Sequence, residues 1–133
     1  MITPLRYDSG KLTTIKSGTV SSTTITKFDL LEWASGYLQR TTSTGSNILF
    51  MSMEDLTTEA AAHEDILVLN LDNVECEGDT NSTASVTHRG TFIDLTDHDT
   101  LNEAATSTNA FYVSEFITTS KLRGYFTFLV KAL

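Results

Sequence analysis

The six residues ILVLNL, at positions 66–71, form the most strand-like stretch of this chain. They make a short, almost continuous apolar run, which is typical of a strand covered on both faces. The next residues, DNVECEGD at positions 72–79, alternate between apolar and acidic side chains. Alternation places one kind of side chain on each face of a strand, so we expect the strand to continue to a break at Gly78.

Other stretches of similar character lie on either side of it. Thr and Ser are abundant (23 and 13 residues) and there is one Pro, a mixture that favours strands and turns. Two polar stretches, residues 54–65 and 98–107, indicate short helical turns, the second capped by Asp99 or Thr100 with Glu103 completing a capping box. The remaining expected strands are ITKFDLLEW (25–33) and YLQRT (37–41) around a tight turn at Gly36, NILFMSM (47–53), ASVTHRGTFIDL (84–95, one strand or two split at Gly90), NAFYVSEFI (109–117) and RGYFTFLV (123–130).

About eight short strands in 133 residues predict a single all-β domain, built as a small β-barrel or β-sandwich. The net charge of −8 argues against a general basic face for nucleic acid or an anionic membrane. One cysteine excludes an intrachain disulfide, and no apolar run approaches the roughly 20 residues of a membrane span. We therefore expect a protein made in a reducing cytoplasm.

The N-terminal segment has two interpretations. Residues 1–24 carry apolar side chains scattered among Ser, Thr and Gly. They could supply a first strand of the domain, or residues 1–17 could form an arm that orders only on a partner, followed by one β-rich domain over residues 18–133.

The stretch HRGTFIDLTDHD, residues 88–99, raises the question of a metal or acid–base site. A calcium loop in this region would lack its turn glycine and its closing acid. A zinc site needs three or four His or Cys ligands, and those of this chain stand at unrelated spacings. We expect a strand followed by a polar turn, no metal or cofactor, no catalytic residues and no enzymatic activity. The side chains considered are Asp97, Asp99, Asn102 and Glu103 for calcium, and His63, Cys76, His88 and His98 for zinc.

Most aromatic residues lie inside the expected strands, where core packing is their usual role. Trp33 and Tyr37 face each other across the expected turn, and we interpret this pair as a possible exposed contact.

The order of the expected strands and loops resembles that of the capsid decoration (cement) proteins of tailed bacteriophages. The resemblance covers roughly residues 19–130 and rests on the order of strands and loops. The segments that carry it are Gly90 to Thr96, Leu101-Asn102, Phe111 to Val113, and Arg123 to Phe126.

The resemblance implies a compact β domain on the outer surface of a virion, where it stabilises an icosahedral shell by bridging major capsid proteins, often as a homotrimer. It also implies an N-terminal arm that adds a strand to the capsid protein, and it carries no catalytic residues. A phage tail or fibre module, or a carbohydrate-binding β domain, is the alternative function. The expected capsid-binding residues of the arm are Ile2, Leu5, Arg6, Tyr7, Lys11, Leu12, Ile15 and Lys16.

Overall fold

The computed structural model describes residues 1–16, 24–34, 36–42, 48–57 and 63–126. These residues form short antiparallel strands joined by turns, so the expected all-β class is confirmed. The strands are β1 (Ile2–Pro4), β2 (Leu12–Lys16), β3 (Thr24–Ile25), β4 (Leu30–Ala34), β5 (Tyr37–Arg40), β6 (Phe50–Ser52), β7 (Leu56–Thr57), β8 (Asp65–Asn70), β9 (Cys76–Asp79), β10 (Phe92–Leu95), β11 (Leu101–Asn102), β12 (Phe111–Thr118) and β13 (Lys121–Phe126). Two 3₁₀ turns, Ser9–Lys11 and Val86–His88, are the helical elements of this part of the chain.

Two curled sheets make up the domain. Sheet I has the strand order β1-β9-β13-β12-β10-β11, and sheet II has the order β2-β8-β6-β4-β5. A separate pair, β3 with β7, lies beside them. Sheet I curls far enough that Thr80, just after β9, bridges to Leu101 in β11 at its other edge. The fold is therefore a half-open barrel or sandwich.

Apolar side chains form two clusters, one on each face of sheet II. The main core includes Leu30, Met51 and Leu69 of sheet II together with Phe111 and Leu122 of sheet I. Neighbouring residues on the same strands point the opposite way because side chains alternate along a strand. They form a second cluster, whose buried members are Ile25, Leu31, Leu38, Phe50, Ile66 and Val68.

The strand predicted at ILVLNL is confirmed as β8, but its continuation through residues 72–79 is wrong. Asn73 adopts a positive φ of 61°, and the Val74 N–H donates to the Leu71 carbonyl oxygen at 3.1 Å. The chain turns there and enters sheet I as β9. The alternation is real, since Val74 and Cys76 are buried, but it belongs to a second strand in another sheet.

The stretch 25–33 is likewise two strands. Phe28 has a φ of 75°, which breaks the run between β3 and β4. The turn predicted at Gly36 is confirmed, with a φ of 87° that favours glycine, and it joins β4 to β5. Because turns of this kind divide several apolar stretches, the strands are shorter and more numerous than the eight expected.

The helical turn predicted at residues 98–107 is wrong. Leu101–Asn102 is strand β11, paired with Asp94 and Leu95 of β10. Leu101 is fully buried, so tertiary pairing outweighs the local capping pattern. For residues 54–65, the structure shows β7 at Leu56–Thr57, and residues 58–62 lie outside the described part of the chain.

Glu103, expected in a capping box, is instead 5% exposed, and both carboxylate oxygens are buried without a hydrogen-bond partner. We expect Glu103→Met to raise the free energy of unfolding by about 1 to 3 kcal/mol, because it removes a buried unsatisfied polar group and keeps the side-chain length. Denaturant unfolding measures this change. Glu115→Met, at an exposed ion pair with Arg89, is the matched control and should change stability by less than about 0.5 kcal/mol. A Glu103→Met variant less stable than wild type would contradict the prediction.

The N-terminal segment is ordered as two edge strands. β1 pairs with β9 at the edge of sheet I, and β2 pairs with β8 at the edge of sheet II. Ile2 is fully buried in the main core. In the isolated chain, the N-terminal segment therefore supplies strands of the domain, which is the first of the two interpretations given above. Binding of this segment to a partner stays a prediction.

Candidate functional site

The loop between β10 and β11 of sheet I, residues 96–100, makes a hydrogen bond to sheet II. The Thr96 N–H donates to the Thr100 carbonyl at 2.9 Å and closes the loop as a hairpin. The Leu30 N–H, at the start of β4, donates to the His98 carbonyl at 2.9 Å. The tip of this sheet I loop is thereby held against the turn that precedes β4 in sheet II.

Asp29 lies in that turn and is 3% exposed. Its Oδ2 accepts hydrogen bonds from the N–H and the hydroxyl of Thr26, at 2.9 and 3.0 Å. Its main-chain carbonyl accepts the Ser52 N–H at 2.9 Å. These contacts fix the orientation of the carboxylate, and the second oxygen, Oδ1, lies 3.6 Å from His98 Nε2.

Asp99 approaches the same imidazole nitrogen from the loop itself. His98 Nε2 lies 3.9 Å from Asp99 Oδ2. The other oxygen, Asp99 Oδ1, accepts the Thr100 hydroxyl at 2.9 Å, and Asp97 Oδ1 accepts the Asp99 N–H at 3.0 Å. Each of the two carboxylates therefore uses one oxygen within the protein and presents the other to His98.

The protonation of Asp99 follows from these neighbours. Partial burial would raise the pKa of its carboxyl, but hydrogen bonding with Asp97 and Thr100 and the charge of His98 outweigh it and lower the pKa. Asp99 is thus an anion at neutral pH. The ligand atoms of Asp29, His98 and Asp99 all lie within 4.8 Å of one another, a separation at which one ion can contact all three.

The stretch 88–99 divides between two regions. Phe92–Leu95 is strand β10, so the predicted strand and polar turn are confirmed. His88 ends a 3₁₀ turn before it, where its Nδ1 accepts the Ser85 N–H at 3.0 Å. Of the two histidines in the stretch, His98 belongs to the cluster with acidic residues, and His88 caps a turn.

The other side chains considered for metal binding have separate roles. His63 stacks on the Tyr37 ring with a centroid separation of 3.7 Å. Cys76 is buried in sheet I, and burial, with a smaller contribution from Glu75, raises the pKa of its thiol to about 12. Such a thiol stays protonated and unreactive at neutral pH.

Sequence reasoning did not single out Asp29. It is separated from His98 by about half the length of the chain, and the hydrogen bond between the start of β4 and this loop brings the two together. The sequence does carry one signal for it, in the stretch FDLL at residues 28–31, where a single acidic residue interrupts an apolar run.

A second surface of interest lies at the N-terminal edge. Leu5 and Tyr7 are 41% and 42% exposed, and they follow directly after β1. An open cleft of about 330 Å³ adjoins them, lined by Arg6, Tyr7, Asp8, Lys11, Asn73 and Val74. Apolar and basic side chains meet here on a chain that is acidic overall.

The expected capsid-binding residues divide into two groups. Leu5, Arg6 and Tyr7 are exposed, and Lys11 lines the cleft while its Nζ donates to the Asp72 carbonyl at 2.8 Å. The other expected residues help to hold the domain together: Ile2 is in the main core, Leu12 packs against it, Ile15 packs against the second cluster, and Lys16 pairs with Asp65 at 2.9 Å.

Trp33 and Tyr37 do not share a surface. In the β4–β5 register Trp33 is opposite Leu38, and Tyr37 is opposite Ala34, which places the two rings on opposite faces of the hairpin. Trp33 is 49% exposed and contacts the edge of the Phe50 ring. Trp33 is therefore an exposed aromatic side chain as expected, but it does not form a surface together with Tyr37.

Within the described residues, no helix is long and apolar enough to cross a membrane. No protein-family model and no curated protein sequence match this chain.

Proposed function

We propose that this protein is a capsid decoration protein that binds the outer surface of an icosahedral phage shell through its N-terminal edge. The observation that carries the proposal is the pair of exposed apolar side chains, Leu5 and Tyr7, on the segment between two edge strands. Exposed apolar groups of this size beside a sheet edge are a surface for a protein partner.

The edge strands supply the means of attachment. β1 ends sheet I, so among the described residues no strand pairs with its outer side. β2 ends sheet II but lies close to β5 at the opposite edge of that sheet, which leaves β1 as the more open of the two edges. A strand of the major capsid protein could pair with such an edge, with main-chain hydrogen bonds providing affinity and side chains such as Tyr7 providing specificity.

Charge supports the same partner. Arg6 and Lys11 line the cleft next to Tyr7, whereas the whole chain carries a net charge of −8. With Asp8 in the same lining, the cleft keeps a small positive balance, which would orient the protein toward an acidic region of the shell. The acidic remainder of the chain would disfavour other orientations. Many copies, assembled as trimers that bridge capsid proteins, would add their stabilising effects over the lattice.

The test is co-sedimentation of the purified protein with expanded, undecorated capsids assembled from the major capsid protein of the same genome. Trimming residues 1–17 would also remove Ile2 from the core, so exposed side chains are changed instead. We expect the double variant Leu5→Ser, Tyr7→Ser to bind shells at least about tenfold more weakly, since each buried apolar side chain contributes about 1.5 to 3 kcal/mol.

Val86→Ser is the matched control, because Val86 is 58% exposed and belongs to the 3₁₀ turn before β10. It should bind like wild type, and all variants should keep the wild-type melting temperature. Wild-type protein that fails to bind shells, or a double variant that binds as tightly as wild type, would refute the proposal.

The half-exposed Trp33 favours one second candidate, a carbohydrate-binding or tail module. Glycan-array binding that is lost in Trp33→Ala, with no binding to shells, would establish that function instead.

A further inference from the structure

We propose that Asp29, His98 and Asp99 form a binding site for one divalent transition-metal ion of the zinc class. The inference does not depend on the decoration function. It concerns a different part of the molecule, where the turn before β4 meets the loop between β10 and β11.

The geometry is close to that of a metal site. Zinc binds imidazole nitrogen and carboxylate oxygen at about 2.0 to 2.2 Å, which places neighbouring tetrahedral ligands about 3.4 Å apart. The two separations from His98 Nε2, 3.6 Å to Asp29 Oδ1 and 3.9 Å to Asp99 Oδ2, exceed this by only a few tenths of an ångström. They are longer than hydrogen bonds, so the imidazole and the two carboxylates leave room between them for an ion.

The ligands are oriented by the surrounding protein. Thr26 donates hydrogen bonds to Asp29 Oδ2, and Thr100 donates a hydrogen bond to Asp99 Oδ1. Hydrogen bonds of this kind fix the ligands of known metal sites and limit the entropy that binding would cost. Both free carboxylate oxygens are consequently directed at the same imidazole nitrogen.

A buried carboxylate supplies an independent argument. The side chain of Asp29 is 4% exposed, and its ion-pair partner among the described residues is His98, with no Lys or Arg in contact. Buried charges are stable when they are paired or when they coordinate metals. One imidazole can carry at most one positive charge against two neighbouring carboxylates, whereas a divalent ion would balance both.

The ligand set selects the class of metal. Calcium takes six to eight oxygen ligands, whereas this site offers one nitrogen and two carboxylates. Imidazole with carboxylate suits zinc and its neighbours, with water in the fourth position. The Asp99 side chain is 43% exposed, which leaves a path for the ion to enter.

A bound ion would connect the two sheets. Asp29 precedes β4 of sheet II, and the other two ligands lie in the loop that follows β10 of sheet I. Since the unfolded chain does not bring these residues together, metal binding should stabilise the fold.

The experiment uses the full chain, treated with a chelator and then titrated with ZnCl₂. We expect native mass spectrometry to show one zinc per chain, and the melting temperature to rise by about 5 to 10 °C when free zinc is 100-fold above Kd. The Nε2 signal of His98 should shift in ¹⁵N NMR spectra, which a purely structural histidine would not do on addition of zinc.

His98→Gln and Asp99→Asn should lose the bound zinc and the rise in melting temperature. Asp99→Asn changes a half-exposed side chain, so it should fold even if His98→Gln does not. His88→Gln, in the 3₁₀ turn, is the matched control and should bind like wild type. The proposal is overturned if wild type binds no zinc, if the His98 signal does not move, or if Asp99→Asn binds zinc as wild type does.

Discussion

Gly124→Ala is expected to lower the free energy of unfolding by about 3 kcal/mol or more, the largest effect of an alanine at any glycine that the structure describes. Gly124 in β13 is opposite Val113 in β12. A Cβ at this position would collide with the backbone oxygen of Tyr112 and would lie 2.8 Å from Phe111 Cε1. The first obstacle is main chain and the second is a fully buried ring, so neither can move without disturbing the core.

The measurement is the midpoint of denaturant unfolding at an unchanged slope, compared with Gly78→Ala and Gly10→Ala. At Gly78 the added Cβ would meet side chains, Ile2 Cγ1 and Leu101 Cδ1, both at 2.9 Å, which can adjust in part. At Gly10 no atom lies within 4 Å. We expect the loss of stability to rank Gly124, then Gly78, then Gly10, and a Gly124 variant as stable as Gly10→Ala would contradict the packing described for sheet I.

Asp94→Ala is expected to cost about 3 kcal/mol or more at neutral pH. Asp94 in β10 is 3% exposed, and its two oxygens accept four hydrogen bonds from the turn before β12. The donors are the N–H and hydroxyl of Ser107 and the N–H groups of Thr108 and Asn109, at 2.8 to 2.9 Å. Hydrogen bonds to a charged acceptor contribute about 1.5 to 3 kcal/mol each, and water would replace only part of them.

This cost should depend on pH. Burial would raise the pKa of the Asp94 carboxyl, but the hydrogen bonds from Ser107, Asn109 and Thr108 outweigh it and lower the pKa. A pKa that is lower in the folded state means that the carboxylate stabilises the fold fully above the unfolded value of about 3.9, and that this contribution is lost as the pH falls through the folded pKa. The difference in stability between wild type and Asp94→Ala should therefore be constant near neutral pH and shrink below about pH 4.

Asp65→Ala is the control for both parts of this prediction. Asp65 forms an exposed ion pair with Lys16, with both side chains about 60% exposed, so its loss should change stability by less than about 1 kcal/mol. Urea unfolding at several pH values measures both variants. A loss for Asp94→Ala that is as small as that for Asp65→Ala, or that does not change with pH, would show that the carboxylate does not hold this turn.

The behaviour of Asp94 and Gly124 shows where sequence reasoning is weak. Asp94 accepts hydrogen bonds from a turn more than ten residues away in the sequence. Gly124 is required by the backbone of the neighbouring strand, which leaves no space for a Cβ. The helical turn predicted at residues 98–107 is wrong for the same reason. A capping motif states a local preference, and the pairing of Leu101 with β10 outweighs it.

The sequence by itself determined that this is an all-β protein with its strongest strand at residues 66–70, because β-branched and apolar residues in short runs bounded by turn residues have few other stable arrangements. It also determined the tight turn at Gly36 and the strand at Phe92–Leu95. Only the tertiary structure decided which sheet each strand joins, that β8 and β9 belong to different sheets, and that Asp29 meets His98. The physical reason is that strand pairing and ligand clusters depend on contacts between residues far apart in the chain, whereas composition and periodicity report only on neighbours.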